Sequence, residues 1–560
     1  MIQNRKKYIA IIIAIGLLLT LIVAQKVYAQ YILTREFTIE MTTTPFNLEV
    51  SSKQIDIYNW GLDKGKVSTT VVNNNTYDIE GNISINGNIL KSFTLAPGTS
   101  QEMTDLNLTD DTISGLSTGI HNVSVNITKP YSETINNVKI NAVGTFTNVE
   151  KYGVKVAGTD EDPYSIYAVE DLIIFAQKVN SGTSYSGKTV AQLRSIDFLN
   201  DSNYYNPNDT SFGDLNNTPS DSNTLKNEMR MGSGFIGIGV SVDQKPEVER
   251  VFSGKYDGRN NEINSIHINS QTAFRRCGIF NCIDGATIQN LGISGKMYVQ
   301  GDTGGLVGAA KNTCTIKNCH NKTNITATET GYSISGILGV AMKDSNMTIL
   351  DCSNSGTITS SSSATGIIGF VWQSTVEIVR CYNSGEIRST GAPSAYSAAA
   401  GLIARDNAAG DITISKCYNS GTIRGARNTG GVIGMTQGKL LLIDSYNIGE
   451  VIGSEDYTGG LIGWQNSIVS TTIGNCYSAG KITGKEATKG GIIGLRKSDI
   501  SKAIVTKTYY LADIAPRAIS NYEDIYPDMR RTDLISAEFV ELIGKSFKYN
   551  SAGYPLLNWQ

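Results

Sequence analysis

Ile378-Val379-Arg380-Cys381-Tyr382-Asn383-Ser384-Gly385-Glu386-Ile387 returns 36 residues later as Ile414-Ser415-Lys416-Cys417-Tyr418-Asn419-Ser420-Gly421-Thr422-Ile423. Weaker copies centre on Cys319, Cys352, Ser445, Cys476 and Thr508. About fifteen residues ahead of each copy stands a second motif, a glycine, two aliphatic residues and a glycine. It reads Gly305-Leu306-Val307-Gly308, Gly336-Ile337-Leu338-Gly339, Gly366-Ile367-Ile368-Gly369, Gly431-Val432-Ile433-Gly434, Gly460-Leu461-Ile462-Gly463 and Gly491-Ile492-Ile493-Gly494, with the variant Gly401-Leu402-Ile403-Ala404. Successive starts lie 31, 30, 35, 30, 29 and 31 residues apart. A fixed period with small insertions between motifs marks a solenoid.

Glycine and β-branched blocks of four to six residues cannot sustain helical periodicity. Short strands joined by tight turns can be built from them, so each unit is one coil of about three strands. Coils stacked at the strand spacing of ~4.8 Å place identical residues over one another. Asn321, Asn354, Asn383, Asn419 and Asn447 are then expected to share side-chain amide bonds down the stack. The glycines that follow (Gly356, Gly385, Gly421, Gly449, Gly480) are expected to supply a positive φ for the turn.

The segment Gly304-Gly305-Leu306-Val307-Gly308 and its copies resemble the GLUG repeat of bacterial surface proteins. Phe252-Ser253-Gly254-Lys255-Tyr256-Asp257-Gly258 is similar to the stretch that opens such arrays, and Tyr554-Pro555-Leu556-Leu557-Asn558-Trp559-Gln560 to their close. The resemblance covers roughly residues 165–560. It implies a secreted or wall-associated parallel β-helix, often adhesive. Some immunoglobulin-A proteases carry such repeats beside a zinc peptidase domain. This sequence shows no such domain, so their activity does not transfer.

Outward from the repeats, the texture changes. Residues 30–149 show short alternating runs such as Val123-Ser124-Val125-Asn126-Ile127, which read as an immunoglobulin-like β-sandwich without a cysteine. Residues 150–270 form an entry segment, with an amphipathic helix over Ala168–Asn180 as one cap. The repeats proper span 271–516, and 517–560 hold a second cap with a helix over Ser536–Ile543. The fold class is therefore all-β, an N-terminal β-sandwich followed by a right-handed parallel β-helix (solenoid) with short helical caps. At the start, Arg5, Lys6 and Lys7 precede an apolar run from Tyr8 to Ala24. Residues 1–29 are either a signal peptide cleaved after Ala29 or a retained membrane anchor, and both readings export the rest.

Composition narrows the function. With 48 Lys+Arg against 51 Asp+Glu, the net charge of −3 excludes a strongly basic nucleic-acid binder. Three histidines and no HExxH motif exclude a His-rich zinc enzyme. His267 and His320 show no catalytic constellation, and Asp351, Asp411 and Asp444 do not recur in one slot. No catalytic residue, cofactor or metal ligand is assigned. Five of the eight cysteines share the slot that also accepts Ser445 and Thr508, so they read as a buried thiol ladder. Cys277, Cys282 and Cys314 lie outside it, where one disulfide is possible. If Cys points inward, the following residue points out. Tyr382, Tyr418, Tyr446, Tyr477 and Tyr509 therefore form a candidate ligand surface, a platform for sugar rings or a protein, unless they merely shield the turn. The expected partners are a host or bacterial surface glycan or protein, or a second copy, with no nucleic acid and with membrane contact only through the N-terminal segment. Adhesion is one reading, and a self-associating stalk the other.

Overall fold

The computed structural model describes residues 47–560 apart from 51–52, 105, 131, 201–233, 242–248, 271–275, 329–331, 392–396, 468, 497–502 and 523–526. The signal or anchor segment therefore lies outside the described residues. Among those described, no helix is long and apolar enough to cross a membrane. The chain divides into two compact units, Met1–Tyr167 and Ala168–Gln560.

The first unit holds two sheets. Alternating apolar residues put one side of each strand inward. The larger sheet runs in the spatial order Lys53–Ile57, Glu133–Ala142, Gly119–Lys129, Ile79–Ile85 and Asn88–Leu95. Its first pair is parallel and the others antiparallel. Leu48–Glu49, Thr69–Asn73 and Ser100–Met103 form the smaller, antiparallel sheet. Trp60, Val71, Ile83, Val125 and Ile140 are fully buried within one core. The sandwich is present, and the helix Phe146–Tyr152 adds to this unit beyond residue 149. Thr145 caps that helix by accepting from the Asn148 amide, and Gly153 ends it at φ +74°.

The second unit is a parallel β-solenoid of about ten turns. It opens on the helix Val169–Asn180, whose Leu172, Ile173, Phe175 and Val179 are fully buried. The Phe175 ring meets Phe252 edge-on at 5.5 Å, and Phe252 in turn lies 5.5 Å from Phe280. The Asn180 side chain accepts from the Gly239 amide at 2.7 Å and donates to the Gly237 carbonyl at 3.2 Å. Helix and first coils are thus one packed body, as expected of a cap.

The central coils, from Leu338 to Gly459, contain five short strands each rather than the expected three. In one they are Ile403–Asp406, Asp411–Ser415, Tyr418–Asn419, Ile423–Gly425 and Thr429–Gly430. The extra breaks come from sharp corners. One falls at Lys416, which has φ +55°, and the same left-handed corner recurs at Asp351, Arg380, Asp444 and Asn475. Register is kept from coil to coil. Ile349, Ile378, Ile414, Leu442 and Ile473 pair in one inward column, each fully buried. Every such side chain contributes roughly 1.5–3 kcal/mol by leaving water.

Two expectations need correction. The glycines after the asparagines do not supply a positive φ, because none of them has one. They are required by close approach instead: a Cβ on Gly421 would stand 2.1 Å from the Gly385 carbonyl oxygen, and one on Gly385 would stand 2.1 Å from that of Gly356. The left-handed residue is the one before the Cys slot. The second correction concerns the C-terminal helix. It forms as expected over Ala537–Ile543, with Ser536 accepting from the Phe539 amide at 3.1 Å. It does not plug the end of the stack. That end is met by Arg517 and Ala518, whose carbonyls receive the Gly491, Ile492 and Ile493 amides, and by Asp528–Met529, which pairs with Tyr510–Leu511. The helix lies along the side, against the tyrosine column.

Candidate ligand surface

Three adjacent columns build the side of the solenoid that carries the candidate residues. The first is the small-residue slot. Cys319, Cys352, Cys381, Cys417, Ser445 and Cys476 are each fully buried. The Cys352 amide donates to Cys381 Sγ at 3.3 Å, the Cys381 amide to Cys417 Sγ at 3.3 Å, and the Cys417 amide to Ser445 Oγ at 3.1 Å. Each thiol or hydroxyl donates in turn to the carbonyl two residues earlier, 3.4 Å from Cys381 to Val379 and 2.8 Å from Ser445 to Ile443. The slot therefore requires one acceptor and one donor on a short side chain. Cys, Ser and Thr meet that need. Burial pushes the thiols of Cys352, Cys381 and Cys417 well up, and that of Cys476 up to about 12, so none is a reactive thiolate at neutral pH. All eight cysteines are buried and none is in a disulfide, Cys277, Cys282 and Cys314 included.

The second column is the asparagine ladder, and it forms as expected. Asn321 donates to Asn354 at 2.7 Å, Asn354 to Asn383 at 2.8 Å, Asn383 to Asn419 at 2.8 Å and Asn419 to Asn447 at 2.7 Å. From Asn354 onward each amide also donates to the carbonyl of the glycine two residues on, at 2.9–3.0 Å. All five are fully buried.

The third column is the tyrosine row. Tyr382, Tyr418, Tyr446, Tyr477 and Tyr509 occupy one register position and turn to the side opposite the cysteines. Neighbouring rings are nearly parallel: 4.9 Å and 1° for Tyr382–Tyr418, 5.1 Å and 7° for Tyr418–Tyr446, 4.8 Å and 4° for Tyr446–Tyr477. A platform for sugars needs ring faces open to solvent, and here the faces look along the stack at each other. The C-terminal segment then covers most of the row. Phe539 meets Tyr509 and Tyr477 edge-on at 5.2 and 6.0 Å, and Phe547 lies against Tyr477 and Tyr446. Tyr446 donates to Gln560 at 2.9 Å, Tyr477 to the Pro555 carbonyl, and Trp559 to the Lys416 carbonyl at 2.9 Å. Tyr446 and Tyr477 are fully buried and Tyr509 nearly so. Only Tyr382 and Tyr418 stay half-open, with Trp559 tilted over them at 6.3 and 5.8 Å. Burial raises the Tyr418 hydroxyl to about 12. The shielding role is filled at three of the five positions by the chain itself.

Other chemistry is dispersed. In the tyrosine column His320 and Ser353 precede Tyr382, and the His320 Nδ1–Ser353 Oγ distance is 2.8 Å. Burial lowers the His320 pKa, and Asn318 rather than a carboxylate stands at its other nitrogen, 3.3 Å away. Asp351 makes a paired contact with Arg380 at 2.6 and 2.8 Å. Asp411 pairs with Lys439 and Asp444 accepts from Asn475 and Ser546. Among the described residues no group of three or more His, Cys, Asp and Glu could hold a metal ion. Sequence reading missed Asp406. It is buried in the first strand of its coil, accepting from the Gln437 and Gly438 amides at 2.6 and 2.8 Å, and burial raises its pKa to about 7. Nothing recurs at its position to flag it, since Val371 and Thr436 are its register neighbours.

No protein-family profile matches the chain, and no curated protein does. Among solved structures, one similar chain is a Bacteroides ovatus protein provisionally described as an immunoglobulin A1 protease. It shares 15% identity, with a TM-score of 0.35 over 72% of this chain and 95% of that one. A second, described as an IgA1 protease, shares 13% identity with a TM-score of 0.28, over 82% of this chain and 26% of that one.

Proposed function

We propose that the chain is an exported surface protein that binds a glycan or protein ligand without transforming it. One observation carries the reading. The polar residues that recur from coil to coil, Asn and Cys/Ser/Thr, spend their donors and acceptors inside the stack, which supports a binding rather than a catalytic role for the outward face. Export is supported by the basic residues and apolar run at the start of the sequence. Buried thiols of raised pKa also suit an oxidising compartment. The repeat's likeness to GLUG arrays points the same way. The open stretch at Tyr382, Tyr418 and Trp559 is the part of the tyrosine row left for a ligand.

A second reading is a stalk that self-associates. Among the described residues, the last long strand, Ala503–Leu511, meets Asp528–Met529 only at Tyr510 and Leu511, and Ile504 is 58% exposed. An open edge of this kind is a template for another chain. A glycan and protein array with the purified chain, run beside light scattering, separates the two. Array binding that weakens in Tyr382→Ser or Tyr418→Ser supports ligand recognition at the row. Concentration-dependent mass without array binding supports the stalk.

A further inference from the structure

We propose that a stripe on the outer side of the coils from Phe370 to Trp464 binds an acidic polysaccharide, one whose sugar rings carry carboxylates. This rests on the recognition role above but places the site away from the tyrosine row. Phe370, Arg405, Met435 and Trp464 occupy one position in successive coils. Three steps at the strand spacing make about 14 Å, enough for more than one linked ring. Phe370, Arg405 and Trp464 are half-buried, and Met435 is buried between them. The Arg405 guanidinium sits 4.2 Å from the Phe370 ring centre.

Beside Trp464 stands Tyr457, its ring 5.3 Å away at 35°. Tyr457 has φ +65°, a conformation that a bulky side chain seldom takes. One coil earlier the same position holds Asn428 at φ +51°, the residue type that tolerates it. Left-handed corners of this kind recur along the solenoid, and this one sets the Tyr457 ring beside Trp464. Over the Tyr457 ring, 5.0 Å from its centre, lies the Arg427 guanidinium, donating from Nη2 to the Tyr457 hydroxyl at 3.3 Å. Arg427 Nε is buried with no hydrogen-bond partner. The nearest carboxylates in sequence, Glu455 and Asp456, are engaged by Lys485 at 2.6 and 3.5 Å.

Such a surface has two complementary halves. Trp464 and Phe370 offer ring surface to the apolar faces of sugars, and the Arg427 guanidinium offers donors that match a carboxylate, while Arg405, which donates from Nε to Ser333 Oγ at 3.3 Å, adds positive charge beside Phe370. The positive charge of Arg405 and Arg427 favours a ligand that carries carboxylates over a neutral one.

The test uses the full chain and three polymers: polygalacturonate, dextran and poly-L-glutamate, titrated by calorimetry and tryptophan fluorescence. Expected is binding of polygalacturonate that weakens with added NaCl and falls at least tenfold in Arg427→Gln and in Trp464→Ala. If Trp464→Ala melts early, Trp464→Phe and Arg427→Gln carry the comparison. The inference is overturned if polygalacturonate does not bind, if these variants bind it like the parent, or if poly-L-glutamate binds as well at the same residues, which would make the stripe a dock for acidic peptides. Binding of dextran alone sinks the acidic-ligand inference and leaves the recognition role standing. Silence on every glycan and protein, with self-association, sinks both.

Discussion

Cys381 and Tyr382 are neighbours in sequence, and both belong to columns that repeat coil after coil, yet the two columns are held in opposite ways. The cysteine column is closed by local rules. Each Sγ accepts from the previous coil and donates two residues back, so a coil needs only its neighbours to complete it. The tyrosine column is left unfinished by the coils and is completed from far away, with Trp559 reaching a carbonyl 143 residues earlier in the chain. Periodic sequence is enough for the first column. The second depends on a segment outside the period, and it is the column where exposure, and therefore any ligand, varies along the stack.

The largest effect should come from breaking the inward column. Cys381→Arg places a cation with no partner where the side chain has no exposure. The expected cost is several kcal/mol, seen as a lost or sharply lowered melting transition and as proteolysis beginning in the adjoining coils. A variant that melts like the parent, with Tyr382→Ser unfolding instead, would invert the assignment of inside and outside.

Asn383→Ala tests the ladder next to it. The substitution strips the acceptor from Asn354 and the donors from Asn419 and the Gly385 carbonyl, all buried. Leaving such groups unsatisfied costs about 1–3 kcal/mol. Chemical denaturation should show that loss with little change in m-value. An unchanged midpoint would mean that the amides are not bonded in solution.

How far the sequence carries follows from the same contrast. Asn354, Asn383 and Asn419 fall at one repeat position, and stacking at the strand spacing turns identity into a predicted hydrogen bond. Alternation along a strand likewise gives the outward side for Tyr382. What alternation cannot show is ring orientation, which decides between an open platform and rings stacked face to face. A lone glycine usually means a turn of positive φ, whereas the determining distance here, Gly421 to the Gly385 carbonyl, runs between coils and leaves no local signal. The Trp464 stripe was invisible for a different reason. Phe370, Arg405, Met435 and Trp464 share a position without sharing a residue type, and a search for repeated letters passes over them.

Asp406 offers a contrast between coils at one inward position, acidic here and Val371 or Thr436 on either side. Its folded pKa, about 7, lies above the ordinary carboxylate value near 3.9, so the folded protein keeps a proton that the unfolded chain has released. The contribution is fully present below about pH 4 and is lost as the pH rises to about 7. A shift of that size corresponds to up to about 4 kcal/mol in principle, and the amide bonds to Gln437 and Gly438 already oppose it. Melting temperature should therefore decline from pH 4 to pH 7, and Asp406→Asn should flatten that slope. A slope unchanged in the variant would assign the pH dependence to another group.

The smallest effect sharpens the comparison most. Cys381→Ser keeps one donor and one acceptor at the slot, as Ser445 does between Cys417 and Cys476. Oxygen is smaller than sulfur, so some contact is lost, but the Cys352 amide still finds an acceptor and the Val379 carbonyl a donor. The expected change is within about 1 kcal/mol. Cys381→Ala is nearly as small in volume and removes both functions, leaving the Cys352 amide buried without its acceptor, so it should cost more than Ser, by roughly 1–2 kcal/mol. Thermal melting of the pair, with thiol labelling to confirm that the remaining seven cysteines stay unreactive in the native state, decides the matter. If Ala and Ser destabilise equally, the slot selects for size alone, and the hydrogen bonds along the cysteine column carry no share of its stability.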